Sequence, residues 1–190
     1  ESGSGKSTVA RALMGMVPVR QGALSLGGES VPLAASGRPL PQRRRLGMVF
    51  QDSAAAFNPR FSVERILREP LELLACGAGH RAAAVDPAAL LDAVGLPASV
   101  LGRRPHELSG GQRQRVGIPR ALAGEPQLLI CDEAVSALDV SVQAQILNLL
   151  ADLQRTRGLA LLFITHDLSV VSYIADRVAV MYRGEVLEMD

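Results

Sequence analysis

Two short glycine-rich segments, far apart in the chain, constrain its fold and chemistry more than any other feature. Residues 1–8 read ESGSGKST, and residues 108–112 read LSGGQ. Each precedes a stretch with helical periodicity, and a glycine-rich turn that runs into a helix aims backbone N–H groups and the positive end of the helix dipole at an anion. One nucleotide needs only one such phosphate-binding loop. The second segment therefore predicts that two copies of the chain close around the nucleotide, each contributing one half of the site.

Composition excludes several classes of protein. The 190 residues are 48% hydrophobic, which is enough for one domain with a substantial core. A net charge of +1, 3% aromatic residues and no Trp argue against nucleic acid as a partner. No apolar run approaches the about 20 residues that a membrane-spanning helix needs. The two cysteines, Cys76 and Cys131, lie far apart and indicate neither a disulfide framework nor a zinc site.

Buried strands alternate with helices along most of the chain. Continuous apolar runs at 46–50, 128–131 and 159–164 predict parallel strands that are covered on both faces. Apolar periodicity predicts helices at 6–14, 109–122, 142–155 and 168–176, and short strand pairs around 23–28 and 177–188. This order predicts an α/β fold with a mainly parallel sheet and a site at the carboxyl edge of its strands.

The remaining segments predict how the domain is organised. Residues 31–45 are rich in Pro, Gly and Arg and predict a surface loop, with the arginine run at 43–45 solvated. Helical periodicity from 62 to 94 favours an α-helical subdomain, about residues 54–123, inserted into a single domain that spans 1–190. The phosphate-loop pattern GxxxxGK[ST] requires a Gly just before Glu1, so we expect the chain to be a fragment truncated at both ends.

The first glycine-rich segment carries the chemistry of a phosphate cradle. Its glycines allow backbone amides to wrap the phosphates, Lys6 reaches the β- and γ-phosphates, and the Ser7 hydroxyl binds Mg²⁺. A Gly/Ser linker before a helix is the alternative interpretation, and the intact GKST sequence argues against it. The residues of this loop that we expect to contact ATP are Ser2, Gly3, Ser4, Gly5, Lys6, Ser7 and Thr8.

Polar residues at the ends of three predicted strands suit nucleotide hydrolysis. Asp132 is expected to hold Mg²⁺, and Glu133 to orient or deprotonate the attacking water. His166 could donate a hydrogen bond to the γ-phosphate, and Gln51 could contact Mg²⁺ or the water. Taken singly, His166 and Gln51 are more often ordinary polar loop residues. Together with Asp132 and Glu133 they predict one catalytic cluster.

Six motifs in this order resemble the nucleotide-binding domain of ABC transporters. The Walker A motif is ESGSGKST, the Q-loop residue is Gln51, the signature is LSGGQ, the Walker B motif is LLICDE, the D-loop is 136–139 and the switch histidine is His166. The resemblance implies a P-loop NTPase core and two domains that sandwich two ATP molecules head to tail. It assigns contacts with the partner's nucleotide to Ser109, Gly110, Gly111 and Gln112. It also implies that Asp139 lies at the shared interface.

Two longer segments narrow the resemblance. Residues 50–60 (FQDSAAAFNPR) and 136–150 (SALDVSVQAQILNLL) are similar to oligopeptide and dipeptide importer ATPases, a group that includes nickel importers. That similarity implies integral membrane permease subunits as partners, which dock on residues after Gln51. It also implies a peripheral position on the cytoplasmic face of the inner membrane. It does not separate peptides from nickel, because the ATPase subunit does not touch the cargo.

Departures from the family pattern keep two alternatives open. Pro119 lies inside the signature helix, Ala134 and Val135 replace the usual Pro-Thr, and Ser53 replaces a usual Pro. The aromatic residue that stacks on adenine in this family precedes the phosphate loop and so lies outside this chain. Pro119 and the truncated ends favour a catalytically weak nucleotide-binding module as one alternative, and the intact Lys6, Asp132, Glu133 and His166 argue against it. A DNA-repair or chromosome-organising ATPase is the other, although its usual long coiled coil would need heptads that this sequence lacks.

Overall fold

The computed structural model describes residues 3–52, 56–75 and 86–189, so Ser2, Ser53 and Cys76 lie outside the described residues. The helices in the described part are α1 Lys6–Leu13, α2 Leu40–Arg44, α3 Val63–Ala75, α4 Pro87–Asp92, α5 Gly110–Leu122, α6 Val140–Arg157 and α7 Leu168–Ile174. The strands are β1 Leu24–Leu26, β2 Glu29–Val31, β3 Leu46–Val49, β4 Leu128–Asp132, β5 Ala160–Ile164, β6 Ala179–Tyr182 and β7 Glu185–Met189. Short 3-10 turns cover Ala35–Gly37, Ala98–Val100 and Pro105–Glu107.

Strands β3, β4 and β5 form the central sheet, with β4 in the middle and all three parallel. Val49 pairs with Cys131, and Cys131 pairs with Phe163. Because the strands are in register and parallel, their carboxyl ends lie at one edge of the sheet. The three apolar runs therefore form the predicted parallel strands, and the polar residues that follow them share that edge.

Both faces of the central sheet are covered, which explains why its strands are continuously apolar. Val49 and Cys131 belong to the larger apolar cluster, which also contains residues of α3 to α7. Met48 and Ile130 point to the opposite face and pack with Ala10 of α1. Burial raises the pKa of the Cys131 thiol to about 12, so this cysteine is part of the core and not a reactive group.

The helical segment packs directly onto this core. Phe57, Ile66, Leu91 and Ile118 lie in the same buried cluster as the residues of β3 and β4. Helix α5 packs against α3, α4 and β3. The division of the chain into a core and an inserted subdomain at 54–123 stays a prediction.

The expectation of a surface loop at 31–45 is wrong, because this segment contains a 3-10 turn and helix α2. The expectation that its arginine run is solvated is also wrong for Arg45, whose side chain is 19% exposed. Arg45 donates hydrogen bonds to the Glu29 carboxylate, to the Leu26 carbonyl at 2.8 Å and to Gln127 Oε1 at 2.8 Å. A planar guanidinium with five donors can bridge three such partners, so Arg45 fastens the β1–β2 hairpin to the central sheet.

Two helices continue through an interior proline. Helix α5 runs past Pro119 to Leu122, and α3 contains Pro70, which the sequence reading did not single out. Both helices bury apolar residues against the core, and tertiary packing of this kind commonly outweighs local helix propensity. Among the described helices, none combines the length and the apolar character needed to cross a membrane.

Candidate nucleotide site

The glycine-rich loop before α1 has the backbone of a phosphate cradle. Gly3 and Gly5 have φ values of 89° and 97°, in the left-handed region that favours glycine. Gly5 is the N-cap of α1 and, as a glycine, offers the first turn of the helix no side-chain cap. A Cβ at Gly5 would lie 3.5 Å from Gly184 Cα, and the Gly184 amide donates to the Ser4 carbonyl at 3.0 Å. The turn between β6 and β7 therefore contacts the glycine-rich loop, and nothing in the sequence indicated this contact.

The side chains of this loop are arranged around its buried serine. Ser4 is 4% exposed, and the ammonium of Lys6 donates to Ser4 Oγ at 2.8 Å. Ser7 and Thr8 lie in the first turn of α1, where Thr8 is exposed. The predicted loop residues that the structure describes thus lie together at the start of α1, with Ser4 buried and Thr8 exposed.

Ser7 and Asp132 bring two oxygen ligands together across the fold. The Ser7 hydroxyl donates to Asp132 Oδ1 at 2.9 Å, and Asp132 is 2% exposed at the end of β4. Mg²⁺ prefers oxygen ligands and is commonly held by one or two carboxylates together with phosphate oxygens and water. The described residues contain no group of three or more His, Cys, Asp or Glu that could hold a metal ion. The hydroxyl and carboxylate therefore suit Mg²⁺ bound with a nucleotide.

The ends of all three central strands meet at the carboxylate of Glu133. Gln51, after β3, donates from Nε2 to Glu133 Oε2 at 2.7 Å. His166, after β5, has Nδ1 at 3.4 Å from Glu133 Oε1. The Glu133 side chain is 22% exposed and that of His166 is 68% exposed, so the carboxylate is partly shielded while the imidazole faces solvent. The structure brings these three residues together; the catalytic role of each stays a prediction.

The backbone of Glu133 is held in an uncommon conformation. Its φ of 48° lies in the left-handed region, which costs an L-residue about 1–2 kcal/mol. The Glu133 amide donates to the Ile164 carbonyl at 3.0 Å. The Glu133 carbonyl accepts from the Ser136 amide at 3.2 Å, from Ser136 Oγ at 2.9 Å and from Gln114 Nε2 at 2.9 Å. Strain of this kind persists where surrounding contacts fix it, and it is frequent at functional sites.

The signature turn is built locally and faces outward. Ser109 is the N-cap of α5 and forms a capping box with Gln112, with bonds of 3.0 and 3.2 Å. Ser109 and Gly110 are exposed, and a Cβ at Gly110 would meet nothing within 4 Å. Gly111 is more confined, since its Cβ would lie 3.4 Å from Leu138 Cδ2. The turn is therefore ordered but open to a second molecule.

Asp139 and Asp167 each cap a helix close to the predicted site. Asp139 accepts from Ser141 Oγ at 2.7 Å and from the Val142 amide at 3.0 Å, and so begins α6. The Ser141 hydroxyl, followed by the Val142 amide, lowers the pKa of Asp139 below its usual value. Asp167 caps α7 in the same way through Ser169, whose hydroxyl and amide lower the pKa of that carboxyl. Both carboxylates therefore fix the helix starts that flank the predicted interface and the switch histidine.

A family model described as ABC transporter matches residues 1–136. The chain belongs to the ABC transporter family. ATP is the nucleotide that this family binds.

A protein of Brucella abortus (strain 2308), named "Putative peptide import ATP-binding protein", is 52% identical over 99% of this chain and 56% of its own length. The glutathione import ATP-binding protein GsiA of Salmonella typhimurium is also 52% identical, over 100% of this chain and 30% of its own length. The chain thus spans about half the length of the Brucella protein.

Solved ABC cassettes share the fold. The dimeric structure of MJ0796, a bacterial ABC transporter cassette, superposes with a TM-score of 0.87 and 26% identity. A dimeric post-hydrolysis state of MJ0796 bound to ADP and Pi gives 0.85 and 27%. Each covers 100% of this chain and 82% of the compared chain. These similarities confirm the predicted α/β, P-loop NTPase fold with its parallel sheet.

Gln114, which donates to the Glu133 carbonyl from helix α5, was not among the residues predicted from the sequence. Gln114 lies three residues before Gly117 and four before Ile118, and all three are buried on α5. A polar residue on the buried stripe of a helix needs a hydrogen-bond partner inside the protein. A glutamine on this buried stripe was therefore a signal in the sequence, although the hydrogen-bond partner of Gln114 could not be predicted from it.

Proposed function

We propose that this chain is the ATP-hydrolysing part of an ABC importer for peptides or peptide-like molecules. The observation that carries the proposal is the meeting of three strand ends at Glu133, next to the Ser7–Asp132 pair. This is the arrangement expected of a general base beside a metal-assisted phosphate site.

In this proposal the glycine-rich loop holds the phosphates of ATP. The amides at the start of α1 and the Lys6 ammonium bind the β- and γ-phosphates. Ser7 and Asp132 supply oxygen ligands to Mg²⁺, which neutralises charge on the phosphates when it is bound. Lys6 then turns from Ser4 Oγ to the phosphate by rotation of its flexible side chain.

Glu133 acts as the general base of hydrolysis. It accepts the proton of the water that attacks the γ-phosphorus, while the bond from that phosphorus to the bridging oxygen of ADP breaks. Gln51 holds the carboxylate through Nε2 and orients the water, and His166 donates to the γ-phosphate from the other side of Glu133. The partial burial of Glu133 limits competing water, which favours proton transfer to this carboxylate.

The outward-facing signature turn calls for a second ATP-binding copy, or a related subunit, in a head-to-tail sandwich. In that sandwich Ser109, Gly110, Gly111 and Gln112 contact the nucleotide of the partner, and Asp139 lies at the interface. Permease subunits in the inner membrane are the other proposed partners, with this chain on the cytoplasmic face. The names of the two relatives refer to peptide and glutathione import, which favours a peptide-like cargo over nickel.

Glu133→Gln in the full-length protein tests the catalytic proposal. Glutamine keeps the shape of the side chain but cannot take up the proton, so we expect ATP turnover to fall by about 10²–10⁴-fold while ATP affinity is retained. Trapped ATP should then stabilise a dimer that size-exclusion chromatography detects.

Glu125→Gln is the matched control for this variant. Glu125 is a second glutamate with left-handed backbone, φ 50°, but it is exposed and lies before the amino end of β4, away from the site. We expect its turnover to equal that of the wild type. Near-normal turnover in Glu133→Gln would remove Glu133 from the role of base and with it the proposed mechanism.

A further inference from the structure

We propose that Gln114 is a positioning residue that aims the Glu133 carboxylate by holding its main chain from helix α5. This inference rests on the proposed function, because it takes Glu133 to be the base. Its structural foundation is the bond from Gln114 Nε2 to the Glu133 carbonyl at 2.9 Å.

The orientation of the Gln114 amide is fixed by chemistry. Gln114 is 3% exposed, so water does not compete for its polar atoms. The Glu133 carbonyl can only accept, so the Gln114 amide must present its N–H₂ group to it and not its oxygen. Rotating the amide by half a turn would set two acceptors against each other.

Gln114 carries a buried polar atom that lowers the stability of the folded state, which indicates a role beyond packing. Its Oε1 atom is buried and has no hydrogen-bond partner among the described residues. An unpaired buried acceptor is unfavourable, and an apolar side chain of the same shape would remove that penalty. A residue that only filled space at this position would serve better as methionine or leucine.

The bond from Gln114 supports the strained backbone of the residue that carries the proposed base. Glu133 has a φ of 48°, and its amide is already tied to Ile164 on β5. The Ser136 contacts to the Glu133 carbonyl come from the same short loop and can move together with it. Gln114 supplies the contact from a separate helix that packs in the main core, so it fixes the second peptide plane relative to the sheet. With both planes fixed, the side chain is directed at Gln51 and His166.

The test compares Gln114→Met with Gln42→Met in the full-length protein. Gln42, on α2, also has a buried Oε1 without a partner among the described residues, and its position away from the site makes it a control for the same chemical change. A misplacement of about 1 Å in a catalytic group can lower rates by about 100-fold, so we expect Gln114→Met to reduce kcat by about 10- to 100-fold. In Gln114→Met, KM and ATP affinity should be unchanged and Tm should not fall. Gln42→Met should leave kcat unchanged.

Gln114→His provides the rescue. The Nε2–H of histidine reaches about as far from the backbone as Nε2 of glutamine, so this variant keeps a donor for the Glu133 carbonyl and should retain more turnover than Gln114→Met. If Gln114→Met lowered Tm and ATP affinity together with kcat, the role would be structural and the proposal would be overturned. Wild-type kcat in Gln114→Met would also overturn it.

Glu133→Gln, measured in parallel, separates the two levels of inference. If Glu133→Gln is inactive and Gln114→Met is fully active, only the positioning role fails. If Glu133→Gln itself turns over normally, the proposed function fails and the position of its carboxylate has no catalytic meaning.

Discussion

The strand-end cluster and the signature turn differ in where their partners come from. In the cluster, Glu133 contacts Gln51 and His166 from two other parts of the same chain. In the signature turn, Ser109 bonds to Gln112 only three residues away and otherwise faces solvent. One region is therefore assembled by the fold of a single chain, whereas the other is ordered in advance and presented outward. This contrast is what a site shared by two chains requires, since preorganised donors bind a partner at lower entropic cost.

Ser109→Arg tests the outward-facing signature turn and should have the largest effect on formation of the ATP-driven dimer. A bulky charged side chain at the exposed start of α5 would hold two molecules apart, so we expect complete loss of the ATP-driven dimer in a Glu133→Gln background. ATP binding to the single chain should persist, because the glycine-rich loop is untouched. Size-exclusion chromatography with and without ATP measures the first effect, and nucleotide titration measures the second.

Two control variants sharpen that result. Ser99→Arg places the same bulk on another exposed serine outside the signature turn and should leave dimerisation unchanged. Ser109→Ala removes the cap of α5, at about 1 kcal/mol in stability, without adding bulk, so the dimer should weaken less than with arginine. A dimer that survives Ser109→Arg would contradict the head-to-tail sandwich.

Lys6→Ala tests the glycine-rich loop, which a single chain forms by itself. A hydrogen bond to a charged group contributes about 1.5–3 kcal/mol, so we expect ATP affinity to fall by about 10- to 100-fold. Arg11→Ala, which removes an exposed positive charge from the last turn of the same helix, should bind ATP like the wild type. Equal affinities for Lys6→Ala and the wild type would show that this loop does not hold phosphate.

The contrast between the two regions also explains what the sequence could predict. The continuous apolarity of β3, β4 and β5 specifies strands covered on both faces, and parallel strands bring their ends to one edge. The proximity of Gln51, Glu133 and His166 therefore follows from pattern and topology together. The capping box of Ser109 and Gln112 is a purely local signal and was equally accessible.

Contacts that join distant elements through unremarkable residues could not be predicted. Arg45 looked like one of three solvated arginines, because nothing local indicates that Glu29 and Gln127 lie within its reach. The bond of the Gly184 amide to the Ser4 carbonyl involves only backbone atoms and leaves no trace in residue type. Long-range packing, rather than propensity, decides such contacts.

Pro119→Ala tests how tightly the signature helix is adapted to the core. Proline lacks the N–H of an interior helical residue, and alanine is favoured over proline by about 3 kcal/mol in such positions. Since Pro119 is buried and alanine is smaller, we expect a net gain of about 1–3 kcal/mol in unfolding free energy, seen as a higher Tm.

Turnover measured on the same protein separates two reasons for the proline. Unchanged ATPase activity would mean that the proline is incidental, whereas a higher Tm with reduced activity would mean that it helps to place the signature turn and Gln114. A lower Tm for Pro119→Ala would contradict the assumption that the helix is strained there.

Asp139→Asn should have the smallest effect, and it tests whether this carboxylate acts mainly as a helix cap within its own chain. The amide oxygen of asparagine can still accept from the Val142 amide, so at pH 7 we expect only a slight drop in Tm and an intact ATP-driven dimer in the Glu133→Gln background.

The pKa of Asp139 is lowered by the Ser141 hydroxyl and the Val142 amide, so its charge stabilises the folded state at any pH above the unfolded pKa of about 3.9. That contribution is lost as the pH falls below this value and through the lower folded pKa, where the wild type and Asp139→Asn should converge in Tm. Asp176→Asn, at an exposed aspartate that caps no helix, is the control and should leave Tm at pH 7 unchanged. Loss of the dimer in Asp139→Asn at pH 7, with Tm unchanged, would instead show that the charge of this carboxylate, and not only its position at the proposed interface, is needed to bind the second chain.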